Sequence, residues 1–166
     1  MATTEKQQTV LVPVDFSPHS ESAVVCAMEM AEMLGLPLTV LHVVHDLADA
    51  PGYYSVKGSK KQLLRLEDVA KEMLNEFMDE MKKKYPERAA LEKTTALLVA
   101  GLPVNRILEI AEETNARMIV MGSQGRTGLQ RLMLGSKAEQ VVRLSPISVL
   151  IVKVPDESGH DTGEQQ

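Results

Sequence analysis

The sequence has few aromatic residues and a single cysteine. Of its 166 residues none is Trp, two are Phe and three are Tyr, so it offers little surface on which nucleic-acid bases could stack. The one cysteine, Cys26, excludes an internal disulfide and a zinc site built from several cysteines. Low cysteine use is typical of proteins in a reducing compartment, and we therefore expect an intracellular protein.

Long apolar runs and an excess of positive charge are also missing. No stretch approaches the ~18 consecutive apolar residues of a membrane-spanning helix, and residues 1–8 are polar, unlike a signal peptide. The net charge is −5, and the acidic residues within 155–166 account for most of it. No basic surface for nucleic acid is therefore expected. These absences predict a cytoplasmic protein with neither a membrane partner nor a nucleic-acid partner.

The remaining composition is that of an ordinary globular domain. Hydrophobic residues make up 44% of the chain and charged residues 25%, and a chain of this length is expected to form one domain of roughly 150 residues. Apolar segments begin at residue 9 and end at residue 154. We therefore predict a flexible N-terminus over 1–8, one domain over 9–154 and a disordered acidic tail over 155–166.

Short apolar runs alternate with amphipathic segments along this domain. The runs predict five β-strands, at 9–15, 37–44, 93–100, 117–121 and 147–154. Apolar residues three or four positions apart predict four helices, at 18–34, 60–85, 103–114 and 136–144, with a long loop over 45–59. This alternation produces a parallel sheet with right-handed crossovers. The fold class is therefore three-layer α/β with a five-stranded sheet, and a ligand is expected beyond the carboxyl ends of the strands.

Local signals mark both ends of the first predicted helix. Ser17 followed by Pro18 is typical of an N-cap and a first helical residue, and Gly35 suits a C-terminal cap.

Glycines flank the loop that follows the fourth predicted strand. Gly122 and Gly125 come directly after that strand, and Gly135-Ser136 opens the next helix. Glycine permits positive φ and a close approach of backbone to a ligand, and a helix N-terminus offers free N–H groups to an anion. The pattern fits a phosphate site. It fits equally a loop that glycine merely shapes, with Ser136 and Glu139 forming a capping box.

Two common phosphate-binding motifs are absent. A Walker loop requires Gly-Lys followed by Ser or Thr, whereas Gly135 is followed by Ser136 and then Lys137. A dinucleotide-binding fingerprint follows the first strand of its fold, and the turn at 14–18 contains no glycine. The sequence therefore supports neither a P-loop enzyme nor a dehydrogenase of the standard type.

Asp15 ends the first predicted strand, at the edge where the ligand is expected. Its carboxylate suits ribose hydroxyls, an adenine amine or Mg²⁺, and it also suits an Asx turn into the following helix. Arg126 and Arg131 lie in the glycine-flanked loop, where they either reach phosphates or point into solvent. Neither arginine is assigned to the site.

The other reactive side chains are predicted to be structural. The four histidines show no metal-ligand spacing, so no metal site is predicted on histidine, and His42, which alternates within a strand, is predicted to be structural. Cys26 lies in the first helix without an activating partner, which favours a core residue over a nucleophile.

Taken together, these residues resemble the universal stress protein family. The spacing of Gly122, Gly125 and Gly135-Ser136 is similar to the G-x2-G-x9-G-[ST] motif of its ATP-binding members, and VPVDFS at 12–17 is similar to the family's opening. The similarity spans nearly the whole predicted domain. It implies a strand order of 3-2-1-4-5 in an adenine nucleotide alpha hydrolase-like fold, an ATP site between the first and fourth strands, and homodimers joined through the last strand. Mg²⁺ is expected to accompany the ATP, since the Asp15 carboxylate suits it.

The resemblance also implies which residues contact the nucleotide: Pro13, Val14, Asp15, Val43, Met121, Gly122, Gln124, Gly125, Gly135, Ser136, Lys137 and Ala138. Two of them depart from the family pattern, because Gln124 stands where the family frequently has His and Lys137 where it frequently has Val. A glutamine donates hydrogen bonds but does not titrate, so no proton transfer is expected at Gln124.

Three functions are compatible with the sequence. The favoured one is an ATP-binding stress-response sensor that acts as a homodimer, in which the nucleotide closes the 45–59 loop and changes what the dimer presents to a downstream protein. A slow ATP-hydrolysing enzyme is the first alternative. It is disfavoured because Asp15 is the only carboxylate placed near the phosphate loop, and no catalytic residue is identified. A nucleotide-free dimeric interaction module is the second alternative, and the intact glycine loop argues against it.

Overall fold

The computed structural model describes residues 7–45, 59–125 and 134–154. These residues contain five strands: β1 (Thr9–Pro13), β2 (Leu38–His45), β3 (Thr95–Gly101), β4 (Ala116–Gly122) and β5 (Ser148–Val152). The strands form one parallel sheet in the order β3-β2-β1-β4-β5. The predicted α/β fold and the strand order implied by the family resemblance are confirmed.

Four α-helices within these same residues cover the two faces of the sheet: α1 (Pro18–Leu34), α2 (Ser59–Lys84), α3 (Pro103–Glu113) and α4 (Ser136–Leu144). Val10 and Val12 of β1 belong to the core that includes residues of α1 and α2. Leu11 of the same strand belongs to the core that includes residues of α3 and α4. Because alternate strand residues point to opposite faces, a strand buried on both faces needs consecutive apolar residues, as β1 has.

The predicted caps of α1 are present. The Ser17 Oγ accepts a hydrogen bond from the Ser20 N–H at 3.2 Å, and Pro18 occupies the first helical turn, where its missing N–H costs no hydrogen bond. Gly35 ends the helix in the left-handed conformation, with φ of 64°. Glycine adopts this conformation without the steric cost of a β-carbon. Ser17 and Pro18 thus fix where α1 begins, and Gly35 fixes where it ends.

Two element boundaries differ from the prediction for a reason visible in the backbone. β1 ends at Pro13 rather than at residue 15, and Phe16, with a left-handed φ of 63°, lies in the turn that follows. A 3₁₀-helix over Ala89–Lys93, which the periodicity did not predict, precedes β3 and delays its start to Thr95. Short 3₁₀ segments have no strong sequence signal of their own.

Several predictions fall outside the described residues. They concern positions 1–6, the interior of the 45–59 loop, Arg126, Arg131 and the acidic tail over 155–166. Within the part of the chain that the structure describes, no helix has the length and apolar character needed to cross a membrane.

Ion pairs join the end of α2 and the turn after it to α1. Lys84 pairs with Glu21, and Arg88 contacts Glu32 at 2.9 Å and Glu29 at 3.1 Å. The hydrogen bond from Lys84 to Glu21 raises the pKa of Lys84. Exposed ion pairs contribute little stability individually. Burial of apolar side chains in the core is therefore the main interaction that holds α2 on the sheet.

Candidate functional site

A cavity of about 580 Å³ lies at the carboxyl ends of β1, β2 and β4. Its position follows from the topology, because the strand order reverses between β1 and β4. All twelve residues that the resemblance implied line this cavity, although they come from four separate segments of the chain: Pro13, Val14, Asp15, Val43, Met121, Gly122, Gln124, Gly125, Gly135, Ser136, Lys137 and Ala138. The fold therefore brings the whole predicted set together, and its binding of a nucleotide stays a prediction.

The two ends of the glycine-flanked loop are bound to each other. The Gly135 N–H donates to the Ser123 carbonyl at 2.8 Å, and the Ser123 N–H donates to the Val152 carbonyl of β5 at 2.8 Å. A β-carbon added at Gly135 would lie 3.3 Å from the Ser123 carbonyl oxygen, which is a tight contact. Glycine at position 135 therefore lets the start of α4 lie directly against the end of β4.

Gly122 and Gly125 provide space for other parts of the protein. A β-carbon at Gly122 would lie 2.8 Å from the carbonyl oxygen of His19 in α1, and one at Gly125 would lie 2.8 Å from Asp15 Oδ2. Neither glycine has a left-handed φ. Two reasons for glycine in this loop follow from the sequence, positive φ and close approach of the backbone. For Gly122 and Gly125 the first reason is wrong. Close approach is present, and its partners in the structure are protein atoms.

Asp15 forms the predicted Asx turn and also lies at the cavity. Its Oδ1 accepts a hydrogen bond from the Ser17 N–H at 3.1 Å, the contact that defines an Asx turn. Its Oδ2 is the atom closest to the position of a β-carbon on Gly125. The turn into α1 thus holds a carboxylate at the cavity wall, a position suited to a hydroxyl, an amine or a cation.

The N-terminus of α4 meets the cavity without a side-chain cap. Gly135 is the N-cap residue and Ser136 is the first helical residue, so the capping box considered for Ser136 and Glu139 is wrong. The Glu139 N–H donates to the Gly135 carbonyl at 2.9 Å, and the three earlier N–H groups, of Ser136, Lys137 and Ala138, have no partner within the helix. These groups and the helix dipole favour an anion. The exposed Lys137 adds positive charge to the same wall.

His42 is a cavity residue that the sequence analysis assigned to structure alone. Its Nδ1 forms a hydrogen bond with the Val14 carbonyl at 2.8 Å, and its ring lies 4.3 Å from that of Phe16 between centroids. These contacts confirm a structural role, but the residue also lines the cavity. The sequence signal that could have placed His42 at the cavity is its polar side chain within a strand of mostly apolar residues.

Helix α2 contributes an apolar wall that the site prediction did not include. Leu66, Val69, Ala70 and Met73 line the cavity, and Leu66 and Val69 are 55% and 53% exposed. Helical periodicity identifies an apolar face, but it does not distinguish the part that meets the core from the part that meets a cavity. The other lining residues that were not predicted are Ser20, Leu41, Val44, His45, Pro103 and Ile107.

Cys26 lies away from the cavity, in α1. Burial raises the pKa of its thiol, and the negative charge of Glu29 raises it further. A raised pKa lowers the thiolate fraction, which disfavours a nucleophilic role, and Cys26 packs partly buried against the core as the sequence predicted. Within residues 7–45, 59–125 and 134–154, no three His, Cys, Asp or Glu side chains form a group that could hold a metal ion.

Comparison with known proteins gives one consistent result. The sequence model of the universal stress protein family matches residues 7–153. The universal stress protein MJ0531 of Methanocaldococcus jannaschii is 33% identical over 146 residues, which are 88% of this chain and 82% of that protein. The structure of MJ0577 from the same organism is 27% identical, with a TM-score of 0.72 over 91% of this chain and 99% of that one. A universal stress protein crystallised in complex with cAMP is 25% identical, with a TM-score of 0.61 and coverage of 89% and 97%.

Proposed function

Because the chain belongs to the universal stress protein family, we propose that it binds an adenine nucleotide, ATP, in the cavity between β1 and β4. The observation that carries this proposal is the chemical division of the cavity wall. On the β4 side lies the uncapped N-terminus of α4, and on the β2 side lie apolar residues of β2 and α2. A nucleotide has the same division, because its phosphates are anionic and its base is a mainly apolar plane.

The phosphates are assigned to the start of α4. Three N–H groups there have no partner within the helix, and the Ser136 hydroxyl is an additional donor. An anion at this position gains from the helix dipole as well as from the hydrogen bonds. Lys137 places a full positive charge where the dipole alone disfavours one, so bound phosphates convert an unfavourable position into a favourable one. The larger charge of a triphosphate makes ATP the preferred ligand over AMP.

The base and ribose are assigned to the β1 and β2 side of the cavity. Val14 and Val43 supply apolar surface, and the Asp15 carboxylate accepts hydrogen bonds from ribose hydroxyls or from the adenine amine. The related protein crystallised with cAMP supports an adenine nucleotide as the ligand class. Mg²⁺ bound to protein typically keeps several waters and takes one or two carboxylates with the substrate phosphates. Asp15 is the carboxylate that would hold it here.

A homodimer through β5 completes the proposal. In the described sheet β5 pairs with β4 on one side and ends the sheet on the other, and its residues Val149–Val152 are half-buried. An unpaired apolar strand at the edge of a sheet tends to pair with another strand. A second copy of β5 would provide that partner. Helix α4 begins at the cavity and is followed in the chain by β5. A ligand at the N-terminus of α4 therefore contacts the helix that precedes the strand proposed to form the dimer interface. This arrangement suits a nucleotide-responsive stress sensor.

The role assigned to the Asp15 carboxylate favours nucleotide sensing over ATP hydrolysis. Asp15 is the one carboxylate in the described lining of the cavity, and it is assigned here to the nucleotide and its Mg²⁺ rather than to an attacking water. A general base must be within reach of the attacking water and able to take its proton. We therefore expect the wild-type chain to release phosphate from ATP no faster than the Gly125→Ala variant does.

Calorimetric titration and thermal unfolding with ATP test the nucleotide proposal. We expect one site per chain, and a ligand at a hundred times its dissociation constant adds about 2.7 kcal/mol to the free energy of unfolding. GTP and inorganic triphosphate serve as controls for the base and for the phosphates, and both are expected to bind more weakly. The absence of heat and of stabilisation at millimolar ATP would contradict the proposal.

A further inference from the structure

Phe16 has a backbone conformation that a bulky residue rarely adopts. It lies between Asp15 and Ser17 with φ of 63°, in the left-handed region where a β-carbon clashes with the neighbouring carbonyl. Such conformations persist only where surrounding contacts hold them, and they are concentrated at functional sites. Phe16 does not itself line the cavity, whereas the residue before it does.

Two aromatic rings from different elements hold Phe16 in place. The His42 ring of β2 lies 4.3 Å away between centroids at an interplanar angle of 30°, and the Phe77 ring of α2 lies 5.6 Å away at 58°. His42 is fixed in turn by its hydrogen bond with the Val14 carbonyl. We name these residues, Phe16, His42 and Phe77, the ring cluster. It joins α2 and β2 to the turn that follows β1.

The conformation at Phe16 determines where the Asp15 carboxylate lies. The backbone bends at residues 16 and 17, and the Ser17 N–H lies 3.1 Å from Asp15 Oδ1. This contact leaves Oδ2 against Gly125 at the cavity wall. An extended backbone at residue 16 would carry the Ser17 N–H away and release the carboxylate from this position. The ring cluster therefore acts on the cavity through the turn.

We propose that Phe16 is a positioning residue, which the ring cluster holds in the left-handed conformation so that Asp15 is fixed toward the bound nucleotide. The ligand part of this proposal rests on the proposed function, whereas the effect on the turn does not. Helix α2 thereby affects the site in two ways, directly through its apolar wall and indirectly through the contact of Phe77 with Phe16. A change in the packing of α2 is expected to change nucleotide affinity without any change in a cavity residue.

Hydrogen exchange in the ligand-free protein tests the effect on the turn. In Phe77→Leu, which keeps an apolar side chain but removes the ring, we expect the Ser17 amide to exchange about tenfold faster, because its acceptor is no longer held. Phe77→Tyr keeps the ring and is expected to restore slow exchange. Leu91→Ala is the control for a loss of core packing, since Leu91 is in the same core as Phe77 but is not in the ring cluster. Unchanged exchange at Ser17 in both Phe77→Leu and Phe16→Leu would overturn the proposal.

A double-mutant cycle on ATP affinity tests the effect on the ligand. Phe77→Leu and Asp15→Asn are each expected to weaken ATP binding several-fold, and the double variant is expected to lose little more than the worse single variant, since both act through one carboxylate. Losses that multiply independently would refute action through Asp15. If the wild-type chain does not bind ATP, the proposed function fails, and the exchange at Ser17 still decides whether the ring cluster holds the turn.

Discussion

The same substitution at two neighbouring glycines is expected to have different consequences. A β-carbon at Gly122 would meet the His19 carbonyl oxygen at 2.8 Å and its carbonyl carbon at 2.9 Å. These are backbone atoms of α1, which cannot yield without moving the helix. We therefore expect Gly122→Ala to lower the free energy of unfolding by roughly 1–3 kcal/mol, the usual cost of overpacking.

Gly125→Ala is expected to affect the ligand more than the fold. Its β-carbon would meet one close atom, Asp15 Oδ2 at 2.8 Å, and the next is 4.0 Å away. A carboxylate oxygen escapes such a contact by rotation, at the expense of its hydrogen bond with Ser17, so we expect a loss of stability no larger than about 1 kcal/mol. Because the carboxylate leaves its position, ATP affinity is expected to fall by about tenfold or more, equivalent to about 1.4 kcal/mol.

Urea denaturation and calorimetric titration with ATP, applied to both variants, measure the two effects. Gly35→Ala is the matched control: nothing lies within 4 Å of its β-carbon position and its φ is 64°, so it is expected to cost roughly 1–2 kcal/mol of backbone strain without changing ATP affinity. ATP binding by Gly125→Ala as tight as that of the wild type would contradict the role assigned to Asp15. Unfolding of Gly122→Ala at the same urea concentration as the wild type would show that α1 accommodates the added β-carbon.

Three further predictions concern other parts of the molecule. Lys137→Val is expected to lower the affinity for ATP more than that for AMP, because the side chain is assigned to the outer phosphates; equal losses in calorimetry would contradict this. Light scattering is expected to give twice the mass of one chain, and a mass of one chain across a wide concentration range would count against pairing through β5. Cys26 is expected to react with iodoacetamide more slowly than free cysteine at pH 8, because burial raises its pKa, and to approach the free rate as the pH rises; equal rates at pH 8 would show an open thiol.

Local signals in the sequence were sufficient for much of the fold. The caps at Ser17 and Gly35 depend on hydrogen bonds and dihedral angles within a few residues, so residue type alone predicts them. The consecutive apolar residues of β1 likewise predict a strand buried on both faces. The strand order did not follow from such patterns, and the family resemblance was needed to predict it.

Contacts between distant segments explain what the sequence did not predict. Gly122 is required by a helix backbone about a hundred positions earlier in the chain, and Gly125 by the Asp15 carboxylate. The failed capping box has a similar origin, because Gly135 is held by Ser123 and takes the N-cap position that Ser136 would need. No pattern within one segment contains this information.

The cavity walls formed by His42 and α2 were missed for the same reason. Both lie in elements whose periodicity is satisfied by a purely structural role. The ring contacts of Phe16, which connect three elements, become visible only when the sheet and α2 are assembled.

Mapping amide chemical shifts by NMR during a titration with ATP shows both whether the nucleotide binds and which residues it contacts. We predict saturable shifts at Asp15, at Gly122 and Gly125 at and just after the end of β4, and at Ser136 and Lys137 at the start of α4, with small shifts in the 3₁₀-helix over Ala89–Lys93. Absence of saturable shifts, or shifts confined to residues outside the cavity, would contradict nucleotide binding between β1 and β4.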